Sequence, residues 1–250
     1  MRASTATRGA ARLTEIIGHG SKGAALARRL YTEGVRTRRD LRRPGVFARL
    51  PKETQLDVMF HPTRRIPLAA SDRVASEVSR RLAHAPAEGR RSPHLPVVAV
   101  GGARRRASTL KDLDFLVIMR SPDARGLGLR PKRHGDRLDL VGVYSAGARR
   151  LSGILRDSRG TARRVRHSRV DFFAATAKEM PFALFHYTGS AAYNIRTRAL
   201  AKKHGLRLNQ YGVFSTATGR AAHGASAIRT EHDLARFLGV TFRQPWDRAR

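Results

Sequence analysis

The chain has 250 residues and sets 50 Lys and Arg against 19 Asp and Glu, a formal net charge of +31 that calls for a polyanionic partner, nucleic acid ahead of a membrane surface. It has no cysteine, which excludes disulfides, zinc–thiolate sites and cysteine nucleophiles and fits a reducing compartment. No apolar run approaches the roughly 18 residues of a membrane span, and the start, MRASTATRGAARLTEI, lacks a signal core. The expectation is an intracellular protein, neither secreted nor membrane-bound.

In chain order, residues 1–10 are small, polar and basic and are expected to form a disordered tail. LTEIIGHGSKGAALARRLYTEGVRTRRDL follows: a helix end, a Gly-His-Gly turn, then a helix with apolar period through Ala24, Leu26, Ala27 and Leu30, stopped at Gly34. This is a helix-hairpin-helix pattern, whose tight turn offers backbone N–H groups to phosphate; it lacks the G-x-x-x-x-G-K-[ST] spacing of a P-loop. Two helices are expected over 51–95, the second opened by Pro67 and running from Leu68 to Leu82, with a loop at His84–Pro96.

Val97–Met119, VVAVGGARRRASTLKDLDFLVIM, is the stretch that carries chemistry. An apolar run ends in Gly101-Gly102, a basic helix-compatible segment spans Ala103–Leu110, and Lys111-Asp112-Leu113-Asp114 leads into a second apolar run. Residues two apart on a strand share a face. Asp112 and Asp114 thus form a pair of acids in a very basic chain, suited to a hard divalent cation that also takes phosphate oxygens. Glycines allow backbone N–H groups to approach such a phosphate. GG, a basic run and D-x-D together read as a nucleotidyltransferase signature; the competing explanation is a helix-capping Asp beside a solvated one.

Beyond it, Ser121–Arg137 has no helical period. Leu138–Tyr144 and Ala148–Leu155 read as a hairpin, Asp139 as a structural acid, and Arg169-Val170-Asp171-Phe172-Phe173 as a strand carrying one more acid. An apolar helix runs into Tyr187-Thr188-Gly189-Ser190, a helix spans Ala191–Lys203 and is capped by Gly205, and short strands follow to Phe214. Thr230-Glu231-His232-Asp233 opens a last helix.

GGARRRASTLKDLDFLV, RVDFF, FHYTGSAAYNIR and LRLNQYGVF, in that order, resemble the X-family DNA polymerases of the polymerase beta type, over about residues 12–248. The resemblance implies an α/β (α+β) chain: helical fingers with the helix-hairpin-helix over 11–92, a nucleotidyltransferase palm with a mixed β-sheet over 93–178, and an α/β thumb over 179–250. It implies a trimmed form without the amino-terminal lyase domain, and a palm helix replaced by SPDARGLGLRPKRHGDR, with one sheet face left less covered or covered by Arg stems.

It further implies that Asp112, Asp114 and Asp171 hold two Mg²⁺ ions, with Mn²⁺ as a substitute, and that Arg169 orients Asp171. Gly101, Gly102, Arg105 and Lys111 would hold the triphosphate of a deoxynucleoside triphosphate. Tyr187 and Gly189 would line its sugar, with His186 standing where relatives carry Tyr, and Asn194 would contact its base. Gly18, Gly20, Lys22 and Arg198 would contact DNA, and the carbonyls of Thr14, Ile16 and His19 a monovalent cation. The implied activity is DNA-directed extension of a primer 3′-end by a monomer on gapped or primer–template DNA, in repair. Template-independent transfer, favoured by Gly102, and a non-catalytic DNA-binding role remain open on the residues alone.

If the charge serves phosphate contact, DNA affinity should fall about 10³-fold or more between about 50 and 200 mM salt. A fluorescence-anisotropy titration at several salt concentrations measures this slope; a flat one would argue against extensive phosphate contact.

Overall fold

The structure, a computed structural model, describes residues 5–17, 21–63, 65–83, 86–87, 90–91, 97–127, 138–158 and 165–248. The chain divides into two compact units, Met1–Pro62 and Thr63–Arg250.

The first unit is helical: α1 (Thr5–Ile17), α2 (Ser21–Thr32), α3 (Arg38–Leu41), α4 (Pro44–Phe47) and α5 (Lys52–Phe60). Ala10, Leu13 and Ile17 recur at helical spacing and are buried, Leu13 completely, so α1 starts at Thr5 and residues 5–10 are not a disordered tail. Its core joins Leu13 and Ile17 to Ala27, Leu30, Val35, Leu41, Leu50 and Val58. Thr37 and Asp40 form a reciprocal capping box on α3. Arg38 and Arg42 donate to the carbonyls of Asp57 and Val58, tying that turn to α5. Gly18, His19 and Gly20 of the expected hairpin lie outside the described residues.

The second unit holds the short strand β1 (Ile66–Pro67), α6 (Leu68–Ala83), β2 (Pro86–Ala87) paired with β3 (Arg90–Arg91), β4 (Val97–Ala99), α7 (Gly101–Arg104), β5 (Thr109–Leu110) and β6 (Leu113–Ile118). Then come β7 (Leu138–Ala146), β8 (Arg150–Asp157), β9 (Arg166–Ala175), α8 (Met180–Thr188), α9 (Ala191–Lys203), β10 (Leu206–Asn209), β11 (Gly212–Ser215) and α10 (Glu231–Phe237). Helix α6, placed by sequence in the segment 11–92, packs through Ala70, Val74 and Val78 into the core of this unit.

Five strands form one mixed sheet in the order β4-β6-β9-β8-β7, with β6 and β9 parallel and the other neighbours antiparallel. Mixed helices and strands around a mixed sheet are the fold class expected from sequence. The period-2 alternation of a strand assigns the faces. Leu113, Phe115 and Val117 of β6, with Val170, Phe172 and Ala174 of β9, share a core with α6. Leu116, Ile118 and Ala175 face α8, against Ala183, with Phe173 and Tyr187 beside them.

One expectation needs correction. The basic helix expected over Ala103–Leu110 stops at Arg104, because Arg106 turns to positive φ (57°) and Thr109–Leu110 leaves to pair with Pro67 and Ile66. Ala124, which opens a single 3₁₀ turn, and Leu127, which follows it, are fully buried in the core on one face of the sheet, while residues 128–137 of that stretch lie outside the described residues. Asp139 is fully buried and ion-paired with Arg156 across the β7–β8 ladder, in keeping with a structural acid.

Phe172 stacks on Phe115 at 5.4 Å between ring centroids, at the centre of the core. Phe172→Ala should lower unfolding stability by about 3–5 kcal/mol, read as a shift in the urea midpoint at constant slope.

Candidate active site

The parallel register of β6 and β9 sets Asp114 beside Asp171. Both alternate with core residues, so both lie on the sheet face opposite α6. Asp112 lies at the same sheet end, just before β6 begins. The sheet thus gathers three acids expected from sequence.

Gathering them has an electrostatic cost. Burial and the neighbouring charges of Asp112 and Asp171 push the Asp114 carboxyl up to about 7. Burial, then the charge of Asp171, also pushes the Asp112 carboxyl up, against the opposing pull of Lys111 and Arg105. By their chemistry three carboxylates are a donor set that Mg²⁺ or Mn²⁺ accepts. The residues present therefore fit such an ion. The fit is one of residue types: among the described residues no group of three or more His, Asp or Glu side chains is placed so that it could hold a metal ion. The third carboxylate is gripped instead by protein. Arg150 donates to Asp171 through Nε (3.1 Å to Oδ1) and Nη2 (2.9 and 3.0 Å to Oδ1 and Oδ2), and the Ser152 hydroxyl donates to Oδ1.

The glycine turn lies against this cluster. Gly101 has φ of +58°, and a Cβ there would stand 2.1 Å from Asp114 Oδ2, so only glycine allows the close approach. The Val100 amide donates to the Asp114 carbonyl at 2.9 Å. Beyond α7, Arg105 donates through Nη1 to the carbonyl of Thr188, and a Cβ on Gly189 would come within 3.2 Å of that Nη1. Gly101, Gly102, Arg105 and Gly189 are thus brought into one region. Arg104 bonds the Thr188 hydroxyl and Glu231, and Glu231 is held on its other oxygen by the fully buried Arg248 at 2.8 Å. Arg106 lies over the ring of Trp246, 4.3 Å from its centroid.

The remaining candidates have partners of their own. Tyr187 stacks on Phe173 at 3.9 Å between centroids, and burial, with Tyr211 nearby, pushes its phenol up to about 12. Asn194 Nδ2 donates to the His186 carbonyl at 2.7 Å, while its Oδ1 is buried without a partner. Arg198 Nη2 lies 2.6 Å from His186 Nδ1, and burial, then the Arg198 charge, pulls the imidazole down to about 4. His186 is therefore neutral near pH 7 and accepts from Arg198. The Arg169 guanidinium lies over the ring of Tyr144 at 5.5 Å. Thr14 and Ile16 are in the last turn of α1, where carbonyls lack partners within the helix. Lys22 belongs to the first turn of α2. Sequence reasoning passed over Arg150 and Ser152; the signal was their two-residue spacing on the strand that pairs with β9.

Comparison with known proteins gives the family. Residues 183–249 match the DNA polymerase beta thumb family model. The chain is 35% identical over 150 residues to the repair DNA polymerase X of African swine fever virus (isolate Tick/Malawi/Lil 20-1/1983), covering 60% of this chain and 79% of the relative. It is 30% identical over 157 residues to the DNA polymerase/3′-5′ exonuclease PolX of Bacillus subtilis, covering 62% of this chain and 24% of that protein. It is 32% identical over 173 residues to DNA polymerase lambda of Rattus norvegicus, covering 63% and 29%.

The raised Asp114 carboxyl has a sign that can be tested. The folded chain binds that proton more tightly than the unfolded chain, so the stability it contributes is fully present below about pH 4 and is lost as pH rises towards about 7. His186, pulled down, acts oppositely between about pH 6.5 and 4, so the wild type alone would show a blend. In metal-free buffer, the stability of wild type relative to Asp114→Asn should fall through that window, by up to about 1.4 kcal/mol per pH unit; urea denaturation of both proteins across the range checks it. With the register, the glycine turn and the relatives in agreement, the chain belongs to the X family of DNA polymerases.

Proposed function

We propose that the chain is a DNA-directed DNA polymerase that adds deoxynucleotides to a primer 3′-hydroxyl, filling gaps in repair. The observation that carries the reading is the pairing of Asp114 with Asp171 across two parallel strands, with Asp112 at the same sheet end and Gly101 against Asp114. The name repair DNA polymerase X, printed for the viral relative, supports the repair context.

Asp112, Asp114 and Asp171 would hold two divalent ions, which when bound supply charge stabilisation to the attacking and leaving oxygens. The 3′-oxygen forms a bond to the α-phosphorus and the bond to pyrophosphate breaks. Asp171 accepts the hydrogen bond of the 3′-hydroxyl and draws its proton. Backbone amides at Gly101 and Gly102, with the Arg105 guanidinium, balance the triphosphate charge; Lys111 adds to it from the strand mouth. Tyr187 and Gly189 flank the sugar, and Asn194 contacts the base edge. Arg198 serves the template strand, Arg169 supports Asp171, and the hairpin at Gly18, Gly20 and Lys22 takes a DNA phosphate. The carbonyls of Thr14, Ile16 and His19 take a monovalent cation.

Single-turnover extension on gapped, recessed and single-stranded DNA tests the reading. Asp112→Ala, Asp114→Ala and Asp171→Ala should each slow extension by about 10³-fold or more, the scale of lost charge stabilisation, with DNA affinity unchanged or higher. Asp123→Asn, at an exposed ion pair with Arg125, should keep full rate. Near wild-type extension by Asp171→Ala would overturn the assignment, and equal extension without a template strand would overturn DNA direction.

A further inference from the structure

Every side-chain hydrogen bond described for Arg150 ends on Asp171. Sheet register builds the contact. Ser152 stands directly opposite Asp171 in the antiparallel β8–β9 ladder, and Arg150, two residues away on the same face, stands opposite Phe173. Its guanidinium also lies over the Phe173 ring at 5.6 Å, and Phe173 in turn stacks on Tyr187. Both carboxylate oxygens of Asp171 are therefore occupied by N–H or O–H donors. Three of these contacts fall on Oδ1, two from Arg150 and one from Ser152, and Arg150 Nη2 also reaches Oδ2.

The two ends of the pair are unequal. The Asp171 side chain is 17% exposed and fixed on a central strand, whereas the Arg150 side chain is 54% exposed on a long flexible stem. The arginine is the end that can leave. Ion pairs exposed to that degree are weak, roughly 0.2–1 kcal/mol, so a divalent cation shared by several carboxylates can outcompete this one.

We propose that Arg150 is a displaceable counter-ion for Asp171, one that a divalent cation must expel to gain this carboxylate. The proposal rests on the reading of Asp112, Asp114 and Asp171 as a cation site and adds a competitor to it. While Arg150 is seated, the cluster is partly neutralised and its affinity for a cation is lowered. Once expelled, the guanidinium is a planar fork free to take a phosphate of the incoming nucleoside triphosphate. Cation and nucleotide then load together, each favouring the state the other needs.

Mn²⁺ binding to the full chain, followed by electron paramagnetic resonance without DNA or nucleotide, tests this. Arg150→Gln should bind Mn²⁺ roughly fivefold more tightly than wild type, the scale of the pair it loses. Arg150→Lys keeps the charge without the fork and should gain less. Arg149→Gln removes the same charge one residue away, from a pair with Glu179, and should change affinity by less than about twofold, since exposed charges are screened. Unchanged or weaker binding by Arg150→Gln, or equal tightening by Arg149→Gln, would overturn the counter-ion role. Asp112→Asn and Asp114→Asn separate this from the underlying reading. If neither weakens Mn²⁺ binding by wild type, the cation site itself is wrong and the proposal falls with it; if both do and Arg150→Gln does not tighten it, the counter-ion role alone fails.

Discussion

The parallel pairing of β6 with β9 is the constraint on which the rest depends. It joins two distant stretches of chain and brings two carboxylates side by side against their mutual repulsion. The hydrophobic alternation of the same strands supplies the opposing force: Phe115 and Phe172, stacked and fully buried, hold the register that sets Asp114 beside Asp171. A slip of one residue would send Asp171 into the core and Phe172 to the open face. The core is therefore also what defines the site.

Around that pair the unit is organised by charge as much as by apolar packing. Glu231 receives Arg104 on one oxygen and Arg248 on the other, and the Arg248 guanidinium lies near the rings of Phe185, Tyr193 and Phe242. Buried ion pairs add little net stability but are costly to leave half-made. Such a network specifies one arrangement of the segment after Gly101-Gly102, the turn at Thr188–Ser190 and α10. The same turn receives Arg105, so the arginine expected at a triphosphate is held next to the glycine expected at its sugar.

Much of this was legible in the order of residues. Gly-Gly before D-x-D, the lone acid in RVDFF and the Thr230 cap are local signals, and local signals survive without knowledge of the fold. What was not legible depends on pairing between remote segments. Arg150 and Ser152 look like any basic and polar residues until the β8–β9 register sets them against Asp171. The basic run after Gly102 has the composition of a helix, yet Thr109–Leu110 is claimed by Pro67 and Ile66. Ala124 and Leu127 sit in a Gly- and Pro-rich stretch with no period, and only tertiary packing shows that both belong to the core.

The stacking of Arg106 on Trp246 has a practical meaning. The chain has one tryptophan, so its indole emission comes from a single place. That place lies under a guanidinium borne on the segment that follows the glycine turn, one residue beyond Arg105, and is partly open to solvent. Indole emission responds to a charge held over the ring and to the water around it. The molecule thus carries its own optical reporter on the segment that bears Arg105, with no label to attach.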